Sequence, residues 1–108
     1  MWRFLLTTTS SSTVGSITHA ERFKSAPSPA YKISKAALNM LNKQYAIQYA
    51  DAGFTFLAVS PGWLKTDLGG VDYADLEVPV GVKELKRIML EATPEQNGQL
   101  LNIHVPVQ

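Results

Sequence analysis

The sequence predicts an α/β fold, with about three parallel strands and two crossover helices in one domain over residues 1–108. Three observations point to it. Short apolar, β-branched runs alternate with helix-period segments in the order strand, helix, strand, helix, strand. The middle run, Phe54 to Val59, is apolar without a break, as expected of a parallel strand covered on both faces. The segments between the runs are long enough to cross back over a sheet, which makes the connections parallel and right-handed.

Taken in order, Leu5-Leu6-Thr7-Thr8-Thr9-Ser10 reads as a short strand entering a Ser/Gly stretch, and Gly15 to Pro29 reads as a long loop. Ser28-Pro29 starts a helix. Serine can cap its free N–H groups, and proline costs nothing at the first helical position. That helix runs to about Ala50. Ser34, Ala37, Leu38, Leu41 and Tyr45 form one stripe at helical spacing, and Ile33, Ala36, Met40, Lys43 and Ile47 form a second. Apolar residues on two faces predict a helix covered on both sides. Gly53 suits the left-handed position that ends it. After Phe54–Val59, Ser60-Pro61-Gly62 breaks the strand, and a loop continues to about Val78. Val82, Leu85, Ile88, Met89 and Ala92 mark an amphipathic helix. Thr93 to Gly98 is a turn, and Leu100 to Val105 is the last strand.

Composition narrows the function classes. The 108 residues are 45% hydrophobic and 18% charged, which is ordinary for a globular chain, and the formal net charge is +1. A charge so near zero provides no single-signed field for nucleic acid or anionic lipid. The absence of cysteine rules out disulfides and thiolate metal sites. The apolar start, Met1 to Leu6, is too short for a signal peptide, and no stretch approaches the ~18 apolar residues of a membrane span. A cytoplasmic protein with no nucleic-acid or membrane partner is expected. His19 and His104 are not spaced as metal ligands, and no metal site is expected. Lys83, Lys86 and Arg87 read as the solvated face of the last helix.

Three short patterns carry chemistry. Tyr31 and Lys35 are four apart at a helix start, so both side chains lie on one face. A free phenol, with a pKa of ~10, is a poor acid or base at neutral pH. A neighbouring ammonium and the positive helix N-terminus both stabilise the phenolate. Ser12 ends the first strand, where parallel sheets bind ligands, and its hydroxyl could polarise a carbonyl. In a Thr/Ser tract, Ser10 or Ser11 would serve equally well as a turn residue. Pro61-Gly62 ends the second strand at the same edge of the sheet, four residues before Thr66. Glycine there permits close backbone approach to a ligand. Taken singly, each pattern also fits a solvated helix start or a simple turn.

In combination and in this order, Ser12-Thr13-Val14-Gly15, Tyr31-Lys32-Ile33-Ser34-Lys35 and Pro61-Gly62-Trp63-Leu64-Lys65-Thr66 resemble the C-terminal part of a classical short-chain dehydrogenase/reductase. The run Pro61 to Gly70 looks closest to the sniffer-type carbonyl reductase and C-factor-like branch. The resemblance implies a partial Rossmann-like three-layer fold, a small carbonyl or alcohol substrate, and NADP or NAD as cofactor. It implies Tyr31 as general acid in reduction and base in oxidation. It implies Lys35 as the group that lowers the Tyr31 pKa and bonds the nicotinamide ribose, and Ser12 as the group that orients the carbonyl. Pro61, Gly62, Leu64 and Thr66 would hold the nicotinamide end.

The chain departs from that family pattern. The glycine-rich turn and helix start that hold the cofactor pyrophosphate are not in these 108 residues, nor is the family's Asn-Ala-Gly segment. Met1-Trp2-Arg3 stands where the family's fifth strand would begin. The expectation is therefore a truncated oxidoreductase that binds cofactor weakly in isolation. The alternative is an inactive remnant acting through protein contacts. The gap between Ser12 and Tyr31 exceeds the family's usual spacing and implies an insertion around Glu21 to Ser25. An uncovered helix face and an open strand edge imply a homo-oligomer or self-association.

Overall fold

The computed structural model describes residues 5–66, 68, 70, 72 and 74–103. Strands β1 (Leu5–Ser10), β2 (Phe54–Ser60) and β3 (Leu100–Asn102) form one sheet in the order β1-β2-β3, with both pairings parallel. Helix α1 (Pro29–Gln48) connects β1 to β2, and α2 (Val78–Glu91) lies between β2 and β3. The predicted α/β order is the observed one. Of the expected last strand, Leu100–Asn102 is strand, while His104 and Val105 lie outside the described residues, as do Met1-Trp2-Arg3.

Side chains of β2 alternate between two helical layers, as the pleat requires. Leu57 and Val59, both fully buried, pack with Ile88 of α2 and with Ile103, joined by Leu6, Leu76, Leu85, Ala92 and Leu101. Phe54 and Phe56 point the other way, where Tyr45 of α1 stacks on Phe56 at 5.7 Å. One helix therefore covers each face, as a run with no polar side predicts.

Local chemistry differs from expectation in three places. Ser28 makes no side-chain cap bond; its carbonyl accepts from Lys32 N at 3.1 Å, and Pro29 alone marks the helix start. The expected loop after Gly15 contains a 3₁₀ turn at Ala20–Phe23, and Lys32 Nζ donates to Phe23 O at 2.7 Å. The expected insertion is thereby tied to the first turn of α1. At its far end α1 stops at Gln48, and Gly53, with φ of 82°, closes the short 3₁₀ turn Ala50–Ala52 that follows. Helix α2 begins at Val78, where the expected loop ends, with Pro79 in its first turn.

The burial of α1 also differs from the two stripes. Its buried residues are Asn42 and Ala46. These small side chains let the helix approach β2, whereas the bulky Leu41 and Tyr45 lie half-exposed on its flank. The second stripe stays open, with Ile33 at 69%, Met40 at 59% and Ile47 at 65% exposure. Between α1 and the β1 edge runs a groove of about 300 Å³, lined by Leu38, Leu41, Tyr45, Tyr49, Phe54 and Phe56 among others. Asn42 also lines it, and among the described residues its buried Oδ1 has no hydrogen-bond partner.

Asn97 fastens the amino-terminal ends of the strands. Its Oδ1 accepts from Phe56 N at 2.8 Å, and its Nδ2 donates to Ala46 O at 3.0 Å. Gly98 N donates to Phe56 O at 2.7 Å beside it. On the exposed side of α2, Arg87 pairs with Glu84 and Glu91 at 3.0 and 2.6 Å.

Candidate active site

The carboxyl ends of β1 and β2 lie side by side, because Ser11 N donates to Val59 O at 2.8 Å. Ser12 follows directly. It caps a 3₁₀ turn, Thr13–Gly15, its Oγ accepting from Val14 N at 3.3 Å. The oxygen is used as an acceptor, so the hydroxyl hydrogen remains available to a ligand.

This turn rests on the start of α1. A Cβ added at Gly15 would lie 2.7 Å from both Ala36 N and Lys35 C. Only glycine lets the two backbones come this close. The contact carries Ser12 to the part of the helix that holds Tyr31 and Lys35. Tyr31 is 43% exposed in the first turn. Lys35 Nζ stands 5.5 Å from the centroid of the Tyr31 ring and donates to Ser10 O at 3.3 Å. An ammonium over an aromatic ring is attracted to its π face, and here it also lies toward the strand ends. Ser12, Tyr31 and Lys35 thus share one edge of the sheet.

The Pro61–Thr66 segment leaves β2 at that same edge but folds toward α2. Leu64 forms an isolated parallel bridge with Leu76, Lys65 N donates to Leu76 O at 2.8 Å, and Leu76 N donates to Trp63 O at 3.1 Å. Gly62 has φ of 79°, which favours glycine, and a Cβ there would lie 2.9 Å from Leu76 Cδ1. The Leu64 side chain packs on α2: a Cβ at Gly81 would meet Leu64 Cδ2 at 2.3 Å. Thr66 N donates to Leu64 O at 2.9 Å, and Thr66 O accepts from Gly70 N at 2.8 Å. Asp67 and Gly69 lie outside the described residues. Lys65 and Glu77 form an exposed ion pair at 2.8 Å, and its hydrogen bond and charge raise the Lys65 pKa above the ordinary lysine value.

Sequence reasoning missed three parts of this edge. Gly81 carries a weak signal, since a glycine in a helical pattern often marks close packing. The bond from the Ser11 hydroxyl to Asn39 Oδ1 carries one as well, because Asn39 is four residues beyond Lys35 on the same side of α1. The pairing of Lys65 with Glu77, twelve residues apart across a loop, has no sequence signature. Among the described residues no group of three or more His, Asp or Glu is placed to hold a metal ion. No helix is long and apolar enough to cross a membrane, among the described residues.

Comparison with known proteins extends over nearly the whole chain. Residues 2–99 match the family model described as enoyl-(acyl carrier protein) reductase. C-signal of Myxococcus xanthus is 37% identical over 73 residues, which are 68% of this chain and 43% of that protein. Among solved structures, NADPH-bound carbonyl reductase from chicken fatty liver superposes with a TM-score of 0.80 at 32% identity, covering 90% of this chain and 39% of that one. Carbonyl reductase Sniffer of D. melanogaster superposes with a TM-score of 0.81 at 30% identity, covering 90% and 38%. The chain therefore spans less than half the length of each of these proteins.

Proposed function

Since this chain belongs to the short-chain dehydrogenase/reductase family, we propose that the whole protein is an oxidoreductase that reduces a small carbonyl compound with NADPH. The observation that carries this reading is the Lys35 ammonium 5.5 Å from the Tyr31 ring, beside the strand end that bears Ser12. The NADPH named for the similar chicken carbonyl reductase supports the choice of cofactor.

The residues fit one end of such a cofactor. Tyr31 is open to solvent, the Lys35 ammonium lies on the same rim, and Gly62 turns the backbone with no side chain at the strand end. These groups, with Pro61, Leu64 and Thr66, would hold the nicotinamide and its ribose. The glycine-rich turn that would hold the pyrophosphate is not among the 108 residues. Bound NADPH would supply the hydride that goes to the carbonyl carbon. The Tyr31 hydroxyl gives its proton to the carbonyl oxygen, which leaves the phenol as a phenolate. Lys35 stabilises that negative charge. Ser12 donates a hydrogen bond to the same oxygen and holds the carbonyl in line for transfer.

The test is the protein expressed from its complete reading frame, assayed by loss of NADPH absorbance with 4-nitrobenzaldehyde. Turnover that saturates in both reactants is expected. A correctly folded protein with no turnover on this or a panel of other aldehydes and ketones would sink the reading and favour a role through protein contacts.

We also assign self-association to the open face of α1. Ile33, Met40 and Ile47 are exposed there, and among the described residues β1 is an edge strand beside the apolar groove. In sedimentation velocity the weight-average coefficient should rise with concentration, and Ile33→Glu with Met40→Glu should abolish the rise. A single monomeric species at every concentration would exclude it.

A further inference from the structure

The hydrogen bond between Ser11 and Asn39 joins two residues to which no chemistry has been given above. Ser11 is 3% exposed, its hydroxyl donates to Asn39 Oδ1, and its amide donates to Val59 O at 2.8 Å. A buried hydroxyl needs a partner, and serine in a turn commonly finds one within its own loop. Here the partner is 28 residues away, on another element. Asn39 stands four residues beyond Lys35 and eight beyond Tyr31, so the three share one side of α1. A single residue thereby joins three pieces of the site: the β1 end that carries Ser12, the β2 end that leads into Pro61-Gly62, and the helix that carries Tyr31 and Lys35.

Ser12 has little else to hold it. Among the described residues its side-chain hydrogen bond is the 3.3 Å one from Val14 N, which is local to its own turn. The Gly15 contact with Lys35 and Ala36 is steric. It limits how close the turn can come to the helix but does not stop it moving away. The Ser11–Asn39 bond provides the opposing, attractive restraint.

We propose that Ser11 and Asn39 are positioning residues, whose hydrogen bond sets where the Ser12 hydroxyl stands relative to Tyr31. Neither touches the substrate. This rests on the carbonyl reductase reading above, because the effect on turnover is transmitted through Ser12. A displacement of about 1 Å at a reacting group can cost ~10²-fold in rate, so a modest loosening of this turn is enough to be measured.

The experiment uses the protein from its complete reading frame, with NADPH and 4-nitrobenzaldehyde. Ser11→Ala and Asn39→Ala should each lower kcat about tenfold, with the KM for NADPH little changed. The double variant should be no worse than either single one, since both remove the same bond. In a Ser12→Ala background, Ser11→Ala should cost nothing further, and Ser11→Thr, which keeps the hydroxyl, should keep most of the rate. A Ser11→Ala loss that persists undiminished without Ser12, or one that merely tracks a lower melting temperature, would overturn the proposal. Amide hydrogen exchange provides an arm independent of turnover. In Ser11→Ala and Asn39→Ala, the Gly15 and Ser16 amides should exchange about tenfold faster, with those of β2 unchanged. Unaltered exchange at those two amides would also overturn it. A parent protein that reduces no carbonyl would defeat the functional reading instead, while the exchange arm would still decide whether the pair holds the turn.

Discussion

Tyr31→Phe is expected to lower NADPH-dependent carbonyl reduction by roughly 10²–10⁴-fold, the usual contribution of a positioned proton donor. Phenylalanine keeps the ring, so the helix start and the Lys35 contact with the aromatic face remain, and only the transferable proton is lost. The variant should bind NADPH almost as the parent does and should melt at nearly the same temperature, because Tyr31 is 43% exposed and its side chain contributes little to the core. Lys35→Ala should also be severe, but in a different way. On the proposed mechanism it removes the charge that would stabilise the phenolate and the cation that would face the cofactor ribose, so kcat should fall and the KM for NADPH should rise. Steady-state kinetics on the two variants separate these effects. A Tyr31→Phe protein with unchanged turnover would eliminate Tyr31 as the acid.

Gly15→Ala should be the most damaging single methyl that can be added near the site. The new Cβ would stand 2.7 Å from two backbone atoms of α1, Ala36 N and Lys35 C, and 2.8 Å from Lys35 Cβ. Backbone cannot swing aside as the tip of a side chain can, so the Thr13–Gly15 turn must lift from the helix. Overpacking of this kind typically costs about 1–3 kcal/mol, and the same movement carries Ser12 away from Tyr31. Urea denaturation and the reduction assay should therefore both register the change. The adjacent substitution Ser16→Ala should affect neither comparably. Gly81→Ala makes an instructive contrast. Its nominal clash is closer, at 2.3 Å, but the atom it meets is the Leu64 Cδ2 terminus, which can rotate. A Gly15→Ala protein with parental stability and rate would show that the turn and α1 are not held as close as described.

Most of the architecture was legible because it depends on periodicity and local punctuation. The unbroken apolar run of β2 implied cover on both faces, and Phe56 against α1 with Leu57 and Val59 against α2 is the result. Pro29 and Gly53 mark ends that follow from the fixed φ of proline and the left-handed freedom of glycine. The candidate site was legible for a different reason. Tyr31 and Lys35 are one helical turn apart, and Ser12 and Pro61-Gly62 end neighbouring parallel strands, so their common edge follows from the order of elements. Their resemblance to a family pattern supplied the roles.

Other features depended on groups far apart in sequence. Pattern alone assigned α1 an inner stripe through Leu41 and Tyr45, whereas its buried residues are Asn42 and Ala46, and Tyr45 stacks on Phe56 while staying half-exposed. The packing of Leu64 over Gly81 is a contact between a loop and a helix that periodicity cannot register. The Lys65–Glu77 pair, the Asn97 clasp from Phe56 to Ala46, and the Ser11 bond to Asn39 each span between 12 and 51 positions. Sequence by itself determined the elements, their order and the edge on which the reactive groups gather, since these follow from backbone geometry over a few residues. Only the tertiary structure decided which faces are covered and what holds Ser12 against α1. Those depend on the volumes and hydrogen-bonding groups that distant segments bring to the same place.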